Sequence, residues 1–331
     1  MRRFIHCRNA RATTALILAC VSGSVEIPAD NSWFGNFPKF TPPEVEVNWS
    51  TTTTNLVGYP CAYRVIRQTF PEAAISNLMS LGPFTANVRA DSRISVSSKE
   101  NTRHLFVNPE NGWIHYWDEK AIVVKGPVVG VPTSKQSEDL ALRLFDRFGF
   151  SRSELAKKSG ETNYLAFEDE RTLTRFDKEL GKEVSVTSGR GTYFVRQVDG
   201  IPFAGIGNGG GFHAKFGNNA AISEIEIVWR KLERFEKLSK PTAEEITRSI
   251  LNGGTVMTRG TAVDAAAGPL DSTQVSSITI TNVVPLYTSA GGNERQDFVY
   301  PFLKVSSLAN YKGTESFIVL YCPIASSSVQ R

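Results

Sequence analysis

A glycine-rich stretch in the second half of the chain decides between two very different folds. Residues 205–210 read Gly-Ile-Gly-Asn-Gly-Gly, the G-x-G-x-x-G spacing, which in dinucleotide-binding proteins joins a strand to a helix of a parallel sheet. The segments that follow, 212–216 and 222–229, have the alternating pattern of strands, and no capping residue opens a helix. Without a helix N-terminus, no amide groups are in place to hold a pyrophosphate. We therefore predict a connection between two β-strands at these glycines and no dinucleotide site.

Three segments have the pattern of helices. Residues 132–150 are the clearest, because Thr133 or Ser134 can cap the helix and its apolar residues fall on one face. Segments 70–84 and 241–254 also place a proline at the start of the pattern and a glycine at its end. We expect all three to be helical.

The remaining patterned segments read as strands. Two strand-like runs within 103–124 flank Asn111-Gly112, which is a strong hairpin signal. Further strands are predicted within 191–232 and 276–323. The charged run 168–183 is interpreted as a solvated segment, with a helix over 172–180 as the alternative.

A helix followed by antiparallel strands thus occurs about twice along the chain. The fold class we predict is α+β, built of tandem helix-plus-antiparallel-sheet modules. The N-terminal module would take residues 59–130 and the C-terminal module residues 131–331. Residues 21–58 are rich in Pro, Asn, Ser and Thr, which is typical of an extended lead-in or tether.

The first 20 residues look like a targeting segment. Four arginines precede a short apolar run over residues 15–21, which is too short to span a membrane but fits a secretory signal. Cys20 ends a lipobox-like sequence and is a candidate for lipidation, and a mitochondrial transit peptide is the alternative. The chain has 37 basic and 33 acidic residues, and those four arginines account for the excess. We therefore predict no nucleic-acid partner, and a membrane contact only through a lipid anchor.

Two cysteines remain after this leader, Cys61 and Cys322. A disulfide between them would close a very long loop near the two ends of the mature chain. Two buried thiols are the alternative. The cysteines and histidines have no metal-ligand spacing, so we predict no metal and no cofactor.

The most informative aromatic cluster is the sequence Asn-Gly-Trp-Ile-His-Tyr-Trp-Asp-Glu at 111–119. On a strand, Trp113, His115 and Trp117 would share one face and form an aromatic platform for a peptide or a sugar ring. Packing in a core or at a sheet edge is the interpretation we favour, and the platform is the alternative. No signature of nucleophilic catalysis occurs, so catalytic residues are not predicted.

Residues 196–229 resemble the PepSY and peptidase-propeptide type of module. The shared features are an R-x-V-D-G-I-P turn at 196–202, a glycine-bearing strand, an F-G-N turn at 216–218 and a strand that ends in Trp229. The resemblance covers roughly 130–260 and extends to 60–125 by analogy. It implies an exported inhibitory, chaperone-like or regulatory domain, with no catalytic residues to carry over.

The function we expect is therefore an exported, non-catalytic binding or regulatory protein that engages a peptide or protein partner. An exported hydrolase with a site assembled from distant residues is the first alternative. Such an enzyme would need His104, His115 or His213 close to a carboxylate or a thiol. A structural envelope lipoprotein is the second alternative.

Overall fold

The computed structural model describes residue 40 and residues 44–50, 60–84, 93–122, 126–158, 160–177, 180–203, 210–252, 256–259 and 271–324. The helices are α1 (Glu72–Met79), α2 (Glu119–Ile122), α3 (Ser134–Arg147) and α4 (Ala243–Leu251). The strands are β1 (Glu46–Trp49), β2 (Cys61–Ile66), β3 (Ile94–Ser97), β4 (Arg103–Asn108), β5 (Trp113–Asp118), β6 (Ala166–Asp177), β7 (Lys182–Val195), β8 (Gln197–Val198), β9 (Ile201–Pro202), β10 (Gly211–Phe216), β11 (Ile222–Val228), β12 (Lys231–Lys237), β13 (Val256–Arg259), β14 (Val275–Tyr287), β15 (Phe298–Val299), β16 (Pro301–Tyr311) and β17 (Thr314–Pro323).

The predicted α+β class of tandem modules is wrong, because the protein is mostly β. Strands make up 50% of the described residues and helical residues 19%. A seven-stranded sheet has the order β3-β4-β5-β11-β10-β7-β6, and its paired strands are antiparallel. Its strands come from both sides of the module boundary predicted at 130/131, and the pairing of β5 with β11 joins the two sides. Helices are added to large sheets here rather than each forming a module with its own strands.

The seven-stranded sheet buries one face against α1 and α3. α3 begins with a capping box, in which Thr133 accepts a hydrogen bond from the backbone of Gln136 and the Gln136 side chain accepts one from Thr133. Alternate residues of the strands point toward these helices and form the largest core. Its members include Ala74, Ile75, Leu78, Leu105, Ile114, Tyr116, Ala141, Leu144, Phe145, Phe148, Phe212, Ala214, Phe216, Ile225 and Ile227.

A five-stranded sheet forms a second core with α4. Its order is β1-β14-β16-β17-β13, and β1 is added at one edge in parallel with β14. A three-stranded sheet, β12-β2-β15, contributes to a third cluster in which Tyr63, Tyr193 and Tyr287 are buried. The three predicted helices are confirmed as α1, α3 and α4. The alternative of a helix over 172–180 is wrong, because residues 172–177 continue β6 of a long hairpin with β7.

The glycine motif is described only at its last residue, since 204–209 lie outside the described residues. Gly210 has a φ of +30° and leads directly into β10. β10 pairs antiparallel with β7 and β11. The strand predicted to follow the glycines is therefore confirmed.

Several predictions fall on the undescribed N-terminal residues. The leader, Cys20 and most of the lead-in at 21–58 are among them. In the part of the chain that the structure describes, no helix is both long enough and apolar enough to cross a membrane.

The two remaining cysteines lie in different parts of the fold. Cys61 begins β2 of the three-stranded sheet and is half-buried, while Cys322 is on β17 in the core of the five-stranded sheet. The structure does not join them in a disulfide. The alternative of a disulfide between them rested on their positions near the chain ends, and those ends belong to different sheets.

Candidate functional site

The face of the seven-stranded sheet opposite α1 and α3 is lined by polar and aromatic side chains, and we call it the open face. β5 shows the division between the two faces most clearly. Trp113, His115 and Trp117 are half-buried on the open face, whereas Ile114 and Tyr116 are buried on the helix face. The period of two therefore places the three predicted site residues together.

One row of directly opposed residues crosses every strand of this sheet on the open face. Its members come from β3, β4, β5, β11, β10, β7 and β6 in turn. We call them the polar row: Ser97, His104, Trp117, Glu224, Lys215, Gly191 and Asp169.

Lys215 joins two carboxylates of the polar row. Its Nζ lies 2.6 Å from Oδ2 of Asp169 and 3.5 Å from Oε2 of Glu224. Burial raises the pKa of the Asp169 carboxyl, but His213 and Lys215 outweigh that effect and hold the pKa well below its usual range. Burial acts on Glu224 in the same way, and His115, Lys215 and His213 lower its pKa to about 2. Both carboxyls are therefore ionised at neutral pH.

The missing side chain at Gly191 lets β10 reach β6 across β7. A Cβ at this position would lie 2.8 Å from Nε2 of His213 and 3.3 Å from Cβ of Lys215. Both side chains pass over the glycine toward Asp169, whose Oδ2 is 3.3 Å from Nε2 of His213. Sequence reasoning missed Asp169 and Lys215, although a glycine inside a strand signals a close approach.

The aromatic residues of β5 form a stacked column rather than a flat platform. The ring centroids of Trp113 and His115 are 5.8 Å apart, and those of His115 and Trp117 are 4.8 Å apart. His104 of β4 stacks on Trp117 at 4.6 Å, with 16° between the ring planes. The faces of His115 and Trp117 thus contact other rings. The ring nitrogens at the edges of the column contact glutamates of β11. Nε1 of Trp113 donates to Glu226 at 3.2 Å, and Nε2 of His115 lies 3.3 Å from Glu224.

Each histidine that the structure describes lies beside a carboxylate on this face. Nε2 of His104 is 3.3 Å from Glu119, and His115 and His213 are at the same distance from Glu224 and Asp169. These partners are on neighbouring elements of the sheet, not near in sequence. Searching for short sequence motifs could not find them.

A loop closes the open face at the Trp113 end. A Cβ on Gly292 would lie 2.0 Å from the Trp113 ring, so the backbone of this loop packs directly on the indole. Nδ2 of Asn111 donates to the carbonyl of Gly292 at 3.2 Å. At the other end of β5, Trp117 and most side chains of the polar row are half-buried, and Ser97 is exposed.

The histidine and carboxylate side chains of the open face do not form a metal centre. Among the described residues, no three His, Cys, Asp or Glu side chains are grouped so that they could hold a metal ion. The ionised groups are neutralised by Lys215 and hydrogen-bond donors instead.

Comparison with known proteins does not add a family. No protein-family model matches the chain, and no curated protein matches it. Within the motif at 196–202, Asp199 and Gly200 form the turn between β8 and β9, and Arg196 is ion-paired with Glu154 at 2.8 Å. The PepSY resemblance stays a prediction that rests on these few residues.

Proposed function

We propose that this chain is a binding or regulatory protein that takes a peptide segment of a partner protein on its open face. The observation that carries the proposal is the polar row, which crosses the whole seven-stranded sheet. Its side chains are half-buried donors and acceptors, apart from the exposed Ser97 at one end. Neighbouring strands are about 4.8 Å apart, so the row is on the order of 29 Å long. An extended peptide of about nine residues has this length.

The charges of the row suit binding better than acid–base chemistry of its carboxyls. A general acid needs a pKa near the working pH, whereas the pKa values of Asp169 and Glu224 are both lowered. Lys215 balances part of their charge. With two carboxylates and one ammonium, the row keeps a net negative charge, which suits the N–H donors of a peptide backbone.

Selection from a displayed library of random 12-residue peptides tests this proposal. Synthetic copies of the selected peptides are then titrated against wild type and variants by fluorescence polarisation. We expect Lys215→Ala and Trp117→Ala to weaken binding by about tenfold or more. Glu233→Gln, on the exposed side of β12, is the matched control and should bind like wild type. Peptides that bind all four proteins equally would contradict the proposal, and so would a library that yields none.

We also propose that the protein acts outside the cytoplasm. The support is the sequence of residues 1–21, with its arginines and short apolar run. The intact mass of protein from its native host tests this. A chain that begins near residue 20 supports export, and added lipid on Cys20 supports the envelope lipoprotein. A full-length mass would refute both.

A further inference from the structure

Ser97, at one end of the polar row, is hydrogen-bonded to a histidine. Its Oγ lies 2.9 Å from Nδ1 of His104, the residue directly opposite on β4. Nε2 of the same imidazole lies 3.3 Å from Oε1 of Glu119. A hydroxyl, an imidazole and a carboxylate are therefore in sequence, which is the arrangement that activates a nucleophilic serine.

We propose that Ser97, His104 and Glu119 hydrolyse esters of small acyl groups. Ser97 is the nucleophile, His104 is the general base, and Glu119 orients the imidazole. This activity goes beyond the peptide binding proposed above. It names the residues that would act in the hydrolase alternative of the sequence analysis, which required a histidine beside a carboxylate.

The surroundings fix the imidazole in the working orientation. Stacking on Trp117 at 4.6 Å sets the ring plane, so Trp117 is a positioning residue. The backbone N–H of Glu119 donates to the carbonyl of Thr102 at 2.7 Å, which anchors the start of α2 beside the β3–β4 turn. Nε2 lies within ion-pair distance of Glu119 but makes no hydrogen bond to it in this structure. In the tautomer with the ring proton on Nε2, Nδ1 is left to accept the proton of Ser97.

The backbone at Ser97 can stabilise the developing oxyanion. β3 is an edge strand of the sheet. The N–H of Ser98 points inward and donates to Arg103 at 2.8 Å. Because successive N–H groups of a strand point to opposite sides, the N–H of Ser97 points away from β4. This N–H therefore lies at the outer edge of the sheet beside the exposed side chain of Ser97, where it can donate to an oxyanion.

The reaction follows from these positions. Oγ of Ser97 attacks the ester carbonyl carbon while His104 takes the hydroxyl proton on Nδ1. The bond to the alkoxide breaks, the alkoxide takes that proton, and the acyl group stays on Oγ. Water then attacks the acyl carbon and gives its proton to His104. Ser97 leaves with this proton, and one ester and one water have become one acid and one alcohol.

The position of Ser97 favours small acyl groups. Its side chain is exposed on an edge strand, so a long acyl chain would gain little burial there. A small acyl group on a large alcohol, such as an acetylated polymer, can approach from outside the sheet.

The test uses the full chain and two probes, 4-nitrophenyl acetate for turnover and a fluorophosphonate for covalent labelling with peptide mass mapping. We expect turnover above the buffer rate and an adduct on Ser97. Ser97→Ala should lose the adduct, and both Ser97→Ala and His104→Gln should lower turnover at least about tenfold. Trp117→Leu should lower kcat, and Trp117→Phe should restore it with KM unchanged.

Ser95→Ala is the matched control, because Ser95 is exposed on the same face of β3 but lies opposite Phe106. It should keep full turnover. Circular dichroism checks that His104→Gln is folded, and adduct mapping on wild type does not depend on any variant. The absence of an adduct on Ser97, or turnover retained by Ser97→Ala, would overturn the proposal. Peptide titration of Ser97→Ala separates this outcome from a failure of the binding proposal.

Discussion

Replacing the buried guanidinium of Arg230 should release the loop that packs on Trp113. Arg230 is 2% exposed. Its Nη1 donates to Oγ of Ser289 and to the carbonyl of Ala290, and its Nη2 donates to the carbonyls of Gly291 and Glu294. One side chain therefore holds most of the loop that ends the open face.

The expected loss of stability can be worked out from these contacts. In Arg230→Met, three backbone carbonyls lose a charged donor, at about 2 kcal/mol each. Burial lowers the pKa of Arg230 from 12.5 to about 10, so removing the cation returns about 3 kcal/mol of burial cost. The net loss is about 3 kcal/mol, which corresponds to a Tm lower by about 4 to 6 °C.

Urea unfolding followed by circular dichroism measures this difference. Arg295→Met is the matched control, because that side chain belongs to the same loop but is 83% exposed, and the change should stay within about 0.5 kcal/mol. Arg230→Lys should fall between the two, since an ammonium cannot reproduce the planar set of donors. An Arg230→Met protein as stable as the control would refute the argument that the guanidinium holds the loop.

Three further changes test other parts of the structure. Gly191→Ala should cost about 1–3 kcal/mol in urea unfolding, because the new Cβ meets His213, and Gly126→Ala, which meets nothing within 4 Å, should be neutral. Glu224 has its pKa lowered from 4.5 to about 2, so its ionised form is more stabilising than its protonated form by roughly 3 kcal/mol, a difference that is present above pH 4.5 and lost as the pH falls toward 2. Glu224→Gln should lack this dependence in acid titrations, and an unchanged profile would contradict the assignment. Thr133→Ala should cost about 1 kcal/mol by loss of the α3 cap, measured as a shift in Tm, and no shift would show that the cap adds nothing.

The helices could be predicted because their signals are local. Thr133, three residues before Gln136, and Thr242, three before Glu245, form the capping boxes of α3 and α4. The hairpin at Gly112 could also be predicted from the sequence, since a φ of +61° at this position favours glycine. The sheets could not be predicted, because which strands become neighbours depends on contacts that a local pattern does not contain.

The candidate site shows the same limit. The period of two placed Trp113, His115 and Trp117 on one face, and that grouping is present in the structure. Their partner Glu224 is 109 residues from His115. Only the register of β5 against β11 brings them together.

Whether the polar row serves folding or binding can be decided by replacing it with apolar residues. Networks of partly buried charges are often no more stabilising than well-packed hydrophobic side chains of similar volume. If the row is retained for folding, replacing Asp169, Glu224 and Lys215 together by Leu, Leu and Met should destabilise the chain. If the row is retained for binding, the triple variant should be at least as stable as wild type but should no longer bind the selected peptides. We expect the second result, and urea unfolding with peptide titration of the same triple variant measures both properties. If the triple variant is less stable but its folded fraction still binds the peptides, the row serves folding.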